Sequence, residues 1–235
     1  MNRPLFRLII EEERPKGWNM AADQALLECS PHPVLRVYSW SPDSQGRRPI
    51  SIGYQDPWQI VPHHRSYVRR LTGGGLVDHE NDFTYSVIIP QRHLESLQIS
   101  VAESYRSFHQ ILSDALAEIK IHTILNTSHP TSTSAIPLPC FISPVPHDLL
   151  HPSTRQKIAG AAQRRNRFGL LHQGSVQGLN WSLDLKKTFA LTLIHHFCKK
   201  WDAHFIQETI TSEELSHTEK LCRERYDTVA WNQRI

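Results

Sequence analysis

The 235-residue sequence lacks most of the features that place a chain in a functional class at first sight. It has no apolar run approaching the roughly 18 residues of a membrane helix, which argues against a bilayer-spanning chain. The first ten residues contain two arginines and only a brief apolar stretch, so no secretory leader is expected there. Its four cysteines, Cys29, Cys140, Cys198 and Cys222, stand far apart without a CxxC pair. That spacing argues against a disulfide-stapled secreted domain and for free thiols, and a soluble, cytoplasmic protein is expected. The chain also lacks a strong charge of either sign: 26 basic residues face 23 acidic ones, a net charge of +3. No basic stripe suggests nucleic acid, although a mild positive excess suits acidic partners.

Several chemical signatures are missing too. There is no P-loop, no GxGxxG, no Ser-centred GxSxG and no suggestive pair of carboxylates. His195, His196, Cys198 and His204 cluster in sequence, but adjacent histidines cannot share one helix face, so no metal site is expected.

What is present is a globular core. Hydrophobic residues make up 39% of the chain, with six Trp, six Tyr and eight Phe. Strands are expected at Leu5–Ile10, Val34–Trp40, Ile50–Tyr54, Tyr67–Leu71 and Phe83–Ile89. A helix is expected over Trp18–Cys29, with Asn19 as its cap. Another should span Val101–Lys120 behind a Ser100/Glu103 capping box, because Val101, Tyr105, Phe108, Leu112, Ala115 and Ile119 recur at helical spacing. Ser182 should cap a further helix with a stripe from Leu185 to Trp201, and Thr211 with Glu214 should start a short one. The segments KIAGAAQ and GSVQGL read as paired strands about the Arg-rich stretch 164–167, while 126–139 is loop. Strands and helices interleave without a βαβ rhythm, so the expected fold class is α+β: one domain over 1–235, with a mixed, mostly antiparallel sheet flanked by helices.

Three constellations could carry chemistry. In Arg69-Arg70-Leu71-Thr72-Gly73-Gly74-Gly75, followed by His79, bare glycines let backbone N–H groups approach a ligand while the arginines hold an anion; a tight turn with surface arginines is the plainer alternative. Lys157, ahead of Gly160 and Ala162, is a cation next to small residues, suited to an oxyanion or to solvent. Cys140, between Pro139 and Phe141, is a nucleophile if a cation lowers its pKa and a packing residue otherwise.

Together these segments resemble the biotin/lipoate protein ligase superfamily, in its lipoate-protein ligase A and cysteine-type octanoyltransferase branch. The resemblance rests on Trp18–Asp23, Leu35–Trp40, Ser51-Ile52-Gly53-Tyr54-Gln55, Arg69–Gly75 with His79, Lys157–Gln163, and the closing Tyr226 with Trp231-Asn232, in family order over nearly the whole chain. It implies a catalytic-domain fold without a C-terminal accessory domain, and transfer of an octanoyl or lipoyl group to a lysine of lipoyl domains. The acceptors would be 2-oxoacid dehydrogenases or the glycine cleavage H protein. The favoured route takes octanoate from acyl carrier protein through a Cys140 thioester, with Lys157 at the oxyanion and no cofactor. The alternatives are an ATP- and Mg²⁺-dependent lipoate ligase acting through lipoyl-AMP, and a silent carrier-binding module. Substrate contacts are expected from Arg70, Gly73, Gly74, Gly75, His79, Gly160, Ala162, His172 and Gly174. Two positions depart from the branch pattern: Gly75 stands where such transferases commonly carry Arg, and Gln173 where the family usually has His, with His172 next to it.

Overall fold

The computed structural model describes residues 3–128, 141 and 144–235. In chain order the elements are β1 (Leu5–Arg14), α1 (Lys16–Cys29), β2 (Val34–Trp40), β3 (Ile50–Ile52), β4 (Tyr67–Arg69), β5 (Val77–Asp78) and β6 (Phe83–Pro90). Then follow α2 (Gln91–Leu94), α3 (Val101–Glu118), β7 (Ile124–Leu125), β8 (Leu149–Leu150), β9 (Lys157–Asn166) and β10 (Gly169–Val176). The chain continues through α4 (Leu183–Lys200), β11 (His204–Gln207), α5 (Ser212–Leu221) and α6 (Val229–Asn232).

Eight strands form one sheet in the order β11-β1-β2-β6-β10-β9-β8-β7, and β4-β3-β5 form a small second one. The large sheet is antiparallel from β2 to β7, while β1 runs parallel to both β2 and β11. The expected α+β class with a mostly antiparallel sheet is therefore correct. The parallel end has a physical reason: α1 carries the chain back across the sheet between β1 and β2, as a parallel connection requires.

Caps set the helix boundaries. Ser100, Ser182 and Thr211 each accept the backbone N–H three residues on, and Thr211 with Glu214 completes a reciprocal box. Helix α1 departs from expectation: it starts at Lys16 after Pro15, with no side-chain cap. Asn19 is instead fully buried, donating to the Ser39 carbonyl and accepting from Arg36 Nη2 at 2.9 Å. A buried guanidinium must have acceptors, and that demand outweighs Asn19's local preference for a helix start. The β9/β10 hairpin is tighter than expected, since Arg164 and Arg165 lie within β9 and only residues 167–168 connect the strands.

Alternation divides the large sheet into two faces. Phe83, Tyr85, Val87 and Ile89 of β6 pack with Phe108, Leu112, Phe189 and Leu193 of α3 and α4. The opposite face of the same strands lies under α1, which also packs against α5. Among the described residues no helix is long and apolar enough to cross a membrane.

Candidate active site

A cleft opens between the small sheet and the β9–β10 hairpin. Met20, Trp40 and Val77 supply apolar wall, and of the expected residues Arg70, His79, Gly160, Ala162 and Gly174 line it.

Lys157 starts β9 beside this cleft. Its side chain is only 1% exposed, and its ammonium donates to Asp148 Oδ2 at 2.7 Å. Asp148, also buried, accepts the Tyr105 hydroxyl at 2.6 Å and the Val145 N–H at 2.7 Å. Burial, reinforced by Asp148, pushes the Tyr105 phenol well above its usual range, so it remains a donor. A methyl group at Gly160 would overlap Lys157 Cε and Nζ; the glycine is what lets the ammonium lie across the strand. At Gly174 a methyl would strike the Tyr85 ring. The Phe141 ring lines the cleft with its centroid 5.2 Å from Lys157 Nζ. Cys140, the expected nucleophile, lies outside the described residues.

The two arginines of the Gly-rich motif face different ways, as neighbours on a strand do. Arg70 donates to Ser51 Oγ at 2.8 Å and to the Gly73 and Gly75 carbonyls at 2.9 Å each, so it clasps the turn. Gly73 and Gly74 are exposed and Gly75 half-buried, and none of the three is among the residues that line the cleft, where substrate contacts were expected of them. Gly74 sits at φ +83°, and its carbonyl passes so close to Gly53 that a side chain at 53 would clash. Arg69 is fully buried and donates to the carbonyls of Gly53, Tyr54, Asp56, Trp231 and Asn232.

His79 stacks on Trp40 with centroids 4.1 Å apart, its Nδ1 2.7 Å from Asp82 Oδ2 and its Nε2 2.7 Å from Ser51 Oγ. Burial pushes the Asp82 carboxyl up, but His79 and the hydroxyls of Ser175 and Thr84 outweigh it and hold the group below its usual value.

Gln173 and His172 face opposite sides of β10. Gln173 reaches into the cleft, accepting the Thr72 hydroxyl at 2.8 Å and donating to Asp23 Oδ2 at 2.7 Å. His172 packs in the apolar layer between Tyr85, Gln163 and Phe108, and burial pushes its pKa well below the ordinary value. It is not among the residues that line the cleft, so it does not take the place of a histidine at 173. The three described cysteines, Cys29, Cys198 and Cys222, are free thiols whose pKa values burial raises, to about 11 for Cys198 and about 12 for Cys222.

The model of the lipoyl protein ligase A/B catalytic domain matches residues 16–222. The chain belongs to this family. Octanoyltransferase LipM of Brevibacillus brevis is 27% identical over 97% of this chain and 99% of its own, and LipM of Bacillus subtilis 30% over 82% and 71%. The same fold appears in the structure of a bipartite lipoate protein ligase and its E2 lipoyl domain from Thermoplasma acidophilum. The TM-score is 0.75 at 18% identity, covering 98% of this chain and 96% of that one.

Against the lipoyl ligase pattern, the sequence pointed to Lys157, Arg70 and His79 but missed Asp148, Tyr105, Ser51 and Asp82 as their partners. Ser51 lies inside a quoted motif and Asp82 three residues beyond His79, so both were in view without a role. Asp148 follows His147 in a stretch with no periodicity, and only the β8–β9 pairing brings it to Lys157.

Proposed function

We propose that this chain transfers an octanoyl or lipoyl group to a specific lysine of lipoyl domains; its LipM relatives are named octanoyltransferases. The favoured donor is octanoyl acyl carrier protein and the favoured route a Cys140 thioester. The observation that carries this reading is the buried ammonium of Lys157, pinned by Asp148 behind Gly160 at the wall of an apolar cleft. Phe141 stands against that ammonium, and Cys140 is bonded to Phe141. The other three thiols are held protonated by burial, which leaves Cys140 as the candidate nucleophile.

The Cys140 thiolate adds to the octanoyl thioester, the C–S bond to the carrier breaks, and the carrier leaves as a thiolate that solvent protonates. Lys157 donates to the oxyanion that forms in this step, and the same donation serves when a neutral lysine amine of the acceptor attacks the acyl-enzyme. Burying an eight-carbon chain is worth about 5 kcal/mol at roughly 0.8 kcal/mol per CH₂, so few polar contacts to the acyl group are needed. Acceptors of the 2-oxoacid dehydrogenase or glycine cleavage H type, and acyl carrier protein, are acidic domains suited to a chain of net charge +3.

Intact-mass measurement after mixing with octanoyl carrier protein tests the route. A gain of about 126 Da, the mass of an octanoyl group replacing hydrogen, is expected without ATP on the peptide that carries Cys140, and is lost from that peptide in Cys140→Ala. Lipoylation from free lipoate that needs ATP and Mg²⁺ and survives Cys140→Ala would instead establish the ligase route. No adduct and no lipoylation under either condition would leave the carrier-binding module.

A further inference from the structure

The group behind His79 has the connectivity of a hydrolytic triad, although no sequence signature announces one. Ser51 Oγ is 2.7 Å from His79 Nε2, and His79 Nδ1 is 2.7 Å from Asp82 Oδ2. Such a constellation is defined by geometry and roles rather than by chain order or fold. All three are at most 4% exposed, while Ser51 and His79 line the cleft. The third member is well determined: Asp82 also accepts Thr84 Oγ1 at 2.8 Å and Ser175 Oγ at 2.7 Å, which fixes its orientation and keeps it ionised. Trp40 stacks on the imidazole and donates its indole N–H to Thr84 Oγ1 at 2.8 Å, locking the ring plane. With the Nδ1 proton directed at Asp82, Nε2 accepts the Ser51 hydroxyl proton. Arg70 Nη1 donates to Ser51 Oγ at 2.8 Å, a cation in the position that favours an alkoxide.

We infer that Ser51, with His79 as general base and Asp82 as its orienter, is a second acyl acceptor in the cleft and gives the protein a medium-chain acyl ester and thioester hydrolase activity distinct from transfer to lysine. The serine oxygen adds to the acyl carbonyl as His79 takes its proton, and Arg70, which donates to Ser51 Oγ, favours the serine oxygen's anionic character as that proton leaves. The C–S or C–O bond to the leaving group then breaks, and His79 returns the proton to the departing thiolate or alkoxide. Water, activated by the same imidazole, hydrolyses the seryl ester, releasing the carboxylic acid and restoring the Ser51 hydroxyl. Transfer through Cys140 does not require this step. The inference rests on the proposed acyl cleft only for the preferred chain length.

A fluorophosphonate probe reports activated serines, so the full-length chain and its Cys140→Ala variant are incubated with one and the adduct is mapped by peptide mass. One adduct on the Ser51 peptide is expected in both, with the labelling rate at least about 10²-fold lower in His79→Gln. Hydrolysis of p-nitrophenyl octanoate by the Cys140→Ala chain should fall in parallel, and p-nitrophenyl acetate should be the poorer substrate. Ser51→Ala must abolish both readouts. Should that variant not fold, Ser51→Cys keeps the size and should trap octanoate from the p-nitrophenyl ester as a thioester at position 51. An unlabelled Ser51 in a folded chain, or ester hydrolysis by Cys140→Ala that Ser51→Ala leaves intact, overturns the inference. The Cys140 adduct with octanoyl carrier protein is read separately, so failure here is distinguishable from failure of the transfer route.

Discussion

The two faces of the large sheet are buried by opposite means. Under α3 and α4 the contacts are mostly aliphatic and aromatic, with Phe108, Leu112, Phe189 and Phe197 nearly inaccessible, and buried charge among the described residues is confined to the Lys157–Asp148 pair beneath Tyr105. Under α1 the same strands bury charge. Arg36 and Asp23, both at 0% exposure, form an ion pair at 2.8 Å, and Asp23 also accepts from Tyr38, Ser86 and Gln173. Close packing on the first face tolerates relaxation around a lost methylene. The second face has fixed partner directions, and through Gln173 and Thr72 it reaches the rim of the cleft. The α1 face aims side chains through Asp23, and the α3 face does so where Tyr105 and Asp148 hold Lys157; elsewhere it chiefly stabilises the fold.

Asp23→Ala breaks the charged face at its centre. It leaves the Arg36 guanidinium buried with only part of its compensation, at a cost of about 3–5 kcal/mol in denaturant unfolding. Acyl transfer per folded molecule falls too, because Gln173 loses an acceptor. Leu112→Ala on the apolar face should also cost about 2–5 kcal/mol, yet leave transfer per folded molecule unchanged. Equal activity losses in the two variants would erase the contrast.

Gly160→Ala sharpens the comparison further. The added methyl displaces the flexible end of Lys157 and crowds Asp148 Oδ1, disturbing their buried ion pair, so unfolding free energy should fall by about 1–3 kcal/mol, less than for Asp23→Ala, while kcat falls roughly 10–100-fold as the ammonium shifts. Measured stability and steady-state rates check the split.

The smallest effect concerns pH and the apolar face. Burial lowers the His109 pKa to about 4, with Asp148 and the His147 carbonyl opposing and Lys157 and His147 adding to the shift; Tyr105 and His172 pack beside it. The folded state holds His109 neutral while the unfolded chain protonates near 6.5, so its contribution is complete above that pH and is lost on acidification toward 4. His109→Gln, whose amide can still donate to the His147 carbonyl, should remove up to about 2 kcal/mol of the stability difference between pH 7 and pH 5. A Tm–pH slope identical in the two proteins would contradict this.

Local rules were enough to read much of the architecture. The caps at Ser100, Ser182 and Thr211, the α3 stripe and the β9/β10 pairing are short-range chemistry, visible in a few consecutive residues. Strand β11 escaped notice because four residues at an exposed sheet edge carry no alternation, and its partner β1 lies some 200 positions away in sequence. The reading of Asn19 as a cap followed a sound local preference, but Arg36, seventeen positions downstream, redirected it. At the site, the reactive types were legible and their partners were not. Asp148 and Asp82 acquire meaning only once β-pairing sets them beside Lys157 and His79.

Arg69 has a consequence for how the protein is made. Its guanidinium joins the carbonyls of residues 53–56 to those of Trp231 and Asn232, about 160 positions further along. During synthesis this brace therefore waits, unfinished, until that distant stretch has emerged from the ribosome. A nascent chain interrupted before it would carry the reactive side chains but not the tie that holds the segment after β3 in place.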